Sequence, residues 1–361
     1  GGACTISGCI PSKTLIKTAG VAENIYKMQQ FGIEAANEID LDFAKVMDHV
    51  RSVVADVSAG HSPESFEKLG IDIIFGDGKF LDKNRFYING KTIIAKKFII
   101  CTGSKPLIPE IEGLDKIPYL ANETLFKLDQ LPGSMIILGG GPVGAEMCSA
   151  LNKLGIKVTL VEKSRQILPK EDSEVATRLM KHLKSKGVQI FTKAEIIGIY
   201  HENGTVYAKL KDISGRKSEI KAQSLLVAAG RRPNIKTLSL ENAGVDYDKS
   251  GIKVDKHLRT TASNIYAAGD VVPPYQFSHI SEYEAVIAAT NASLPIPVKR
   301  AYYNNVPWCT FADPQLARVG LTEQEAAQKC GKIKIYRWEN NKVDRCRTDL
   351  ATAGFSKIIC D

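Results

Sequence analysis

The chain has 361 residues, 44% of them hydrophobic and 24% charged, with a formal charge of +8, a length that implies two or three domains rather than one. No apolar run reaches the length of a membrane-spanning helix, and the lysines and arginines are scattered rather than drawn into a stripe with aromatic residues, so neither a membrane nor a nucleic acid is an expected partner. Eight cysteines in so long a chain do not make the dense framework of a small secreted domain, and a reducing, cytoplasmic setting is expected.

In chain order, helical patterns run from Cys9 to about Gln30 and from Phe43 to Leu69, the second interrupted at Ser62-Pro63. Strands are expected at Ile71–Phe75, Arg85–Ile88, Thr92–Ile94 and over the apolar run Phe98–Cys101, which stops at Thr102-Gly103. Pro106, Pro109 and Pro118 mark a linker. A strand at Met135–Leu138 enters the turn Gly139–Gly144. Helical spacing follows over Ala145–Leu154, then a strand over Ile156–Val161 closed by Glu162. A helix at Ser173–Lys186 leads to a strand at Val188–Phe191, and strand-like runs alternate as far as Ala228-Ala229-Gly230. Next come a strand at Asn264–Ala268, the pair Gly269-Asp270, and a helix from about His279 to Asn291. After Pro295 and Pro297 the pattern becomes α+β, with strands at Val306–Phe311, Lys334–Trp338 and Phe355–Cys360 and a short helix at Glu323–Lys329. Alternating strands and helices make the fold class α/β.

The glycine turn has the context that dinucleotide binding requires. Gly139, Gly141 and Gly144 follow a strand and open a helix, and the acid Glu162 ends the next strand, 18 residues after Gly144. Gly139 permits the tight turn, Gly141 leaves the backbone bare where a pyrophosphate approaches, and Gly144 lets helix and strand pack closely. The helix start offers unpaired N–H groups and a partial positive charge to phosphate. Glu162 would accept hydrogen bonds from the adenosine ribose and repel a 2′-phosphate, which favours NAD(H) over NADP(H); Lys163 and Arg165 soften that preference.

Cys4 and Cys9 are the one close cysteine pair. Cys9 stands where a helix is expected to begin, a position that favours the reactive thiolate. A structural crosslink is disfavoured because the loop between them is too small to stabilise much. Zinc would need two further ligands at suitable spacing, and no metal site is expected. A redox pair is the favoured reading. Cys101 and Cys148 sit among small and apolar residues and read as buried thiols, and His49, His61, His182, His201 and His257 read as surface residues.

The stretch Gly1-Gly2-Ala3-Cys4-Thr5-Ile6-Ser7-Gly8-Cys9-Ile10-Pro11-Ser12-Lys13 resembles the active-site segment of the class I pyridine nucleotide–disulfide oxidoreductases. The resemblance runs through the whole chain in the family's order. Ile100–Pro106 is similar to the strand and turn leaving the flavin domain. Gly230-Arg231-Arg232-Pro233-Asn234 is similar to the exit from the nicotinamide domain, and Thr260–Asp270 to the second flavin-binding segment. Pro307–Glu323 is similar to the opening of the dimerisation domain. The fold it implies has two Rossmann-like nucleotide-binding domains, for flavin and NAD, plus an incomplete α+β dimerisation domain. The divisions implied are 1–118 (flavin), 119–243 (NAD), 244–303 (returning flavin segment) and 304–361 (dimerisation).

The resemblance also implies roles. Cys9 is the flavin-proximal thiol and Cys4 the interchange thiol; Lys13 lies by the flavin and pairs with Glu146. Gly2, Thr102, Gly103 and Asp270 join Lys13 and His279 in the FAD site, Asp270 on the ribityl chain and the helix beginning at Ser278-His279 toward the ring; for His279 itself, capping or packing is favoured over acid–base work. Gly230 joins Gly139, Gly141, Gly144 and Glu162 in the NAD site. The family carries a further strand–glycine–helix unit before the cysteines and a His–Glu pair near its C-terminus, the His serving the partner subunit of a homodimer. Neither falls within residues 1–361, so this stretch by itself is expected to be inactive. The parent activity implied is electron transfer between NAD(P)H, FAD and the Cys4–Cys9 pair. Dihydrolipoyl dehydrogenase-like chemistry on a lipoyl-type or small disulfide or dithiol, alone or within a larger dehydrogenase complex, stands ahead of a mercuric reductase-like activity. A non-catalytic nucleotide-binding or assembly protein is the reading from another class, and the cysteine pair with Lys13 and Glu146 argues against it.

Overall fold

The computed structural model describes residues 2–34 and 40–361, so Gly1, the first residue of the cysteine motif, lies outside the described residues. The chain forms two compact units. One comprises Gly1–Ile10, Val54–Leu107 and Gly230–Asn305; the other comprises Pro11–Val53, Ile108–Ala229 and Val306–Asp361.

The first unit is built around a parallel pair, Phe98–Ile100 beside Ile265–Ala267. A three-stranded antiparallel sheet of Gly78–Asp82, Arg85–Ile88 and Lys91–Ile94 accompanies it. Phe80 meets Phe86 and Phe98 edge-on at 4.9 and 5.2 Å, in a core shared with Ile100, Ile252, Ile265 and Val271. The helix Ser278–Ser293 packs Ile287 and Ala288 against Tyr266 and Ala268. The expected linker at Pro106 begins instead as a strand. Ser104–Pro106 pairs antiparallel with Arg231–Pro233, and a two-stranded ribbon tolerates proline because it is all edge.

The strand expected at Ile71–Phe75 is not formed. That segment is irregular, and Ile71, Ile74 and Phe75 are 48%, 40% and 72% exposed. The strand lies seven residues later, at Gly78–Asp82, where Phe80 finds an aromatic pocket. The helix expected over Phe43–Leu69 ends at Ala59. A short helix, Pro63–Glu67, restarts with Ser62 as its cap, its hydroxyl accepting from the Ser65 N–H. Cys101 is exposed rather than buried, because the strand stops at Ile100. His182 and His257 are half-buried rather than on the surface.

The second unit holds a four-stranded parallel sheet in the order Ser224–Val227, Ser134–Leu138, Lys157–Glu162, Gln189–Thr192. Met135, Ile136 and Ile137 are wholly buried, as an apolar run in a parallel sheet covered on both faces should be. The helix Pro142–Lys153 crosses between the first two sequential strands of this sheet. An antiparallel sheet of Ala194–Glu202, Thr205–Asp212 and Lys217–Ala222 follows. Residues 11–53, expected with the flavin domain, are grouped here because Leu15, Ala19, Met47 and Val50 share one core with Met147, Cys148 and Leu151.

The C-terminal part of this unit pairs Pro307–Thr310 with Leu316–Val319 and Lys334–Glu339 with Phe355–Cys360. Charged side chains join it to the segment following the parallel strand Lys157–Glu162. The ammonium of Lys357, 6% exposed, lies 3.0 Å from Asp172, 3.1 Å from Glu174 and 2.5 Å from Glu323. The Trp308 indole donates to Glu171 Oε1 at 2.6 Å, and the Arg318 guanidinium stacks over the Trp308 ring at 4.3 Å. Among the described residues, no helix is long and apolar enough to cross a membrane.

A second charged knot sets an acid response. Burial alone would raise the Glu23 carboxyl, but Lys153 and Lys27, each 2.6 Å away, hold it down at about 2 from its ordinary 4.5; Lys153 also pairs with Asp313. A carboxyl lowered in the folded state contributes stability above its unfolded value and loses it as pH falls through the folded one. The wild type is therefore expected to lose stability between pH 4.5 and about 2 more steeply than Glu23→Gln, as followed by thermal melting across that window. Parallel acid limbs would refute this assignment.

Candidate active site

In the first unit, Ala3–Ile6 is a short helix with Gly2 as its cap at φ 98°, and Cys9 is the first residue of the helix Cys9–Lys27, with Pro11 in its opening turn. The turn between the two helices requires a glycine. A Cβ on Gly8 would stand 2.7 Å from the Ala3 carbonyl oxygen and 3.3 Å from Cys4 Cα, so the close approach that folds Cys9 back past Cys4 admits no side chain. Cys4 is exposed and Cys9 half-buried, and both are thiols. Cys9 Sγ lies 2.9 Å from Ser278 Oγ, at the start of the helix Ser278–Ser293. His279 beside it is exposed and stacks on Phe277 at 5.6 Å, while the helix start has no side-chain cap.

The same unit gathers Thr102, Gly103 and Asp270, three of the other expected flavin residues, around two loops, while Lys13 falls in the second unit. Thr102 and Gly103 are latched to Asn234: Thr102 Oγ1 donates to its carbonyl at 2.7 Å, and the Asn234 N–H donates to the Gly103 carbonyl at 2.9 Å. Gly103 has φ 67° and open space where a Cβ would stand. Asp270 Oδ2 accepts from Ser104 Oγ at 2.5 Å and lies 3.5 Å from Arg231 Nε, which itself donates to Ser104 Oγ at 2.6 Å. Behind Asp270, the Gly269 N–H donates to Glu284 Oε2 at 2.7 Å, and Tyr303 donates to Glu284 Oε1 at 2.6 Å. Glu284 is 1% exposed; burial pushes its carboxyl up, and the charge of Asp270 adds to the rise. Gly230, expected in the NAD site, has φ 118° and belongs to this unit, where its carbonyl accepts from the Leu107 N–H.

In the second unit, the glycine turn is as the fingerprint requires. Gly141 caps the helix Pro142–Lys153, and a Cβ there would meet nothing within 4 Å. A Cβ on Gly144 would stand 1.9 Å from the Gly139 carbonyl, and one on Gly139 would stand 2.4 Å from the Ala228 carbonyl. The turn is thus closed against protein on one side and open at the helix start. Glu162, 7% exposed, accepts from the Gly140 N–H and the Ser164 N–H, both at 2.7 Å. The carboxylate therefore braces the turn, with lone pairs to spare for further donors. Leu168 N–H donates to the Gly140 carbonyl at 2.7 Å and folds the following loop onto the turn.

Lys13 and Glu146 meet in this unit, as expected. Nζ lies 2.7 Å from Oε2, with Glu146 buried. Glu146 Oε1 also accepts from the Phe311 N–H at 3.0 Å, and the Lys13 ammonium sits 4.6 Å above the Phe311 ring. Nearby Cys309 is pushed up by burial and then by the Glu146 charge, which keeps that thiol protonated. The sequence reading missed Ser104 and Arg231 as partners of Asp270, Glu284 and Tyr303 behind Gly269, and Phe311 beside Lys13. Each is a long-range contact that only the folded chain supplies.

A model of pyridine nucleotide-disulphide oxidoreductases matches residues 1–293, and a model of their dimerisation domain matches residues 306–361. A mercuric reductase of Bacillus cereus is 33% identical over 362 residues, covering 100% of this chain and 57% of the relative. A dihydrolipoyl dehydrogenase of Bacillus subtilis (strain 168) is 34% identical over 383 residues, covering 100% and 78%. The chain spans 57%, 65% and 66% of the length of three mercuric reductases that it matches. The Cu(II) complex of the HOCl-induced flavoprotein disulfide reductase RclA from Escherichia coli aligns with a TM-score of 0.86 at 31% identity, over 100% of this chain and 78% of that one. With these matches running the length of a chain that carries the cysteine turn, the dinucleotide turn and the Lys13–Glu146 pair, this protein belongs to the pyridine nucleotide-disulphide oxidoreductase family.

Proposed function

We propose that the parent enzyme passes two electrons between NAD(P)H and the Cys4–Cys9 pair by way of FAD, and that its substrate is a disulfide or dithiol of the lipoyl type. The observation that carries the reading is the asymmetry of the cysteines across the Gly8 turn: Cys4 is open to a substrate, while Cys9 begins a helix and rests on Ser278.

The residues fit both nucleotides. The open helix start at Gly141, with Glu162 bracing the turn behind it, would receive the pyrophosphate and adenosine of the nicotinamide dinucleotide. Gly2 and Gly103, both at positive φ with open space beside them, would flank the flavin together with Thr102, Asp270 and the start of the helix at Ser278-His279. Bound FAD supplies the two-electron exchange between nicotinamide and sulfur. The remaining chemistry is the chain's own. The Cys4 thiolate attacks one sulfur of the substrate disulfide, forming a mixed disulfide and expelling the first substrate thiolate, which takes a proton. The Cys9 thiolate then attacks Cys4, expels the second thiolate and leaves a Cys4–Cys9 disulfide, so the substrate gains the two electrons that the pair loses. The helix start stabilises the Cys9 thiolate between these steps. Direction follows the two potentials, tenfold in equilibrium for about 30 mV.

Glu162 supports NAD(H) as the nucleotide, and exposed Lys163 and Arg165 leave room for NADP(H). The dimerisation-domain match supports a homodimer; the few, dispersed cysteines support a reducing, cytoplasmic setting, and by the family resemblance the partner would supply an acid–base His. A mercuric reductase-like activity is the second reading. It is favoured by the likeness of Gln276–Ala285 and Val306–Gly320 to that branch and by the Bacillus cereus relative. Anaerobic titration of the full-length, flavin-loaded protein with NADH is expected to raise the long-wavelength absorbance of a thiolate held against flavin. Simple bleaching of the flavin with no such band would overturn the disulfide mechanism. Comparing turnover on lipoamide with turnover on mercuric ion then separates the two readings.

A further inference from the structure

We propose that Glu284, backed by Tyr303, is a positioning residue that sets the Gly269–Asp270 turn and through it holds Asp270 in its flavin-binding orientation. The inference rests on the flavin reading above and extends it to a residue that need not touch the flavin. Glu284 lies 14 residues beyond Asp270 on the helix Ser278–Ser293, and it is 1% exposed. A buried carboxyl is costly unless its oxygens are bonded, and both are: Oε2 takes the Gly269 N–H at 2.7 Å and Oε1 the Tyr303 hydroxyl at 2.6 Å. The oxygen facing Gly269 accepts that hydrogen whether or not the group is ionised.

The turn it holds has little other freedom. Gly269 has φ 82°, and a Cβ there would stand 3.1 Å from Ser281 Oγ, so the backbone is confined between the strand Ile265–Ala267 and the helix that carries Glu284. Asp270 is then fixed from its other side by Ser104 and Arg231. The carboxylate is thus held by two clamps, Ser104–Arg231 on its side chain and Glu284–Tyr303 on its backbone. The second clamp bonds the turn through the Gly269 N–H, next to the like charge of Asp270. A purely packing role for Glu284 would not need a hydrogen-bond acceptor in a site that Leu could fill.

The test measures the affinity of the full-length apoprotein for FAD, by quenching of FAD fluorescence, in Asp270→Asn, Glu284→Ala, Glu284→Gln, Tyr303→Phe and the Asp270→Asn/Glu284→Ala double variant. Glu284→Ala strands the Gly269 N–H and is expected to weaken FAD about tenfold or more. Glu284→Gln restores binding to within about threefold, because the amide oxygen accepts from Gly269 and the amide nitrogen donates to Tyr303. The double variant binds no more weakly than Asp270→Asn alone, the signature of one residue acting through another. Full additivity, or wild-type affinity in Glu284→Ala, would overturn the proposal while leaving the flavin site standing. Wild-type affinity in Asp270→Asn would remove the flavin reading at this turn and the proposal with it. Should Glu284→Ala fail to fold, Glu284→Leu, which fills the site but offers no acceptor to the Gly269 N–H, carries the same cycle, with equal affinity to wild type as the refuting result.

Discussion

Cys9→Ser in the full-length, flavin-loaded protein is expected to lower NADH-dependent disulfide turnover on the order of 10³-fold or more, with nucleotide affinity unchanged. A serine oxygen at the head of the helix Cys9–Lys27 can neither close a disulfide with Cys4 nor exist as an appreciable anion at neutral pH, so the second exchange has no nucleophile. Cys4→Ser should match it in turnover and differ in colour. That variant removes the exposed sulfur but keeps the one beside Ser278, so long-wavelength absorbance should be present before any reductant is added. Reversal of the two phenotypes, with the band surviving in Cys9→Ser and vanishing in Cys4→Ser, would exchange the roles of the sulfurs. Appreciable turnover in either variant would end the two-thiol mechanism. Nucleotide affinity is an internal control because Gly139–Gly144 and Glu162 are untouched by both changes.

The second large effect is on stability. Among the described residues, Lys357 is the one cation within ion-pair distance of Asp172, Glu174 and Glu323 together, and its side chain is only 6% exposed. Lys357→Met fills a similar volume and leaves the carboxylates facing one another. Removing one partner from a fully buried pair costs about 3–5 kcal/mol. Glu174 and Glu323 are 36% and 41% exposed, so water offsets part of that, and about 2–3 kcal/mol is expected here. Arg337 reaches Glu174 at 2.9 Å and Glu323 at 3.5 Å and limits the loss further. The melting temperature of Lys357→Met should fall by about 5–10 °C, and Lys357→Arg should recover most of it. An unchanged melting temperature in the Met variant would show that the cluster is solvated rather than structural.

What could be read from the chain alone was whatever depends on near neighbours. The strand–turn–helix around Gly139–Gly144 declares itself because each glycine answers a local steric demand, and the structure places a carbonyl 1.9 Å from where a Gly144 Cβ would be. The start of the helix at Cys9 was legible from Pro11 and the pattern after it. The Lys13–Glu146 contact was reached by resemblance and charge sign, across 133 residues. The failures share a cause. Ile71–Phe75 has strand-forming side chains but no neighbouring strand, and pairing rather than propensity decides a strand. Gly78–Asp82 carries only one deeply buried side chain, Phe80, yet forms because Arg85–Ile88 lies beside it. Glu284 looked like one of several acids on a helix. Its burial depends on where Gly269 and Tyr303 come to rest, which no local window contains.

The first unit is stitched from three separated stretches of chain, and this bears on how the molecule is made. A ribosome delivers Cys4 and Cys9 well before Ser278, which emerges 269 residues after Cys9, and the segment that completes the unit ends at Asn305. Until then the reactive sulfurs have no shelter, and closing so long a loop is among the slower events in folding. The newborn polypeptide therefore passes through a vulnerable interval in which a stray oxidant or a foreign thiol can reach both cysteines, and cells that make this enzyme quickly should profit from keeping it in reducing company until synthesis is done.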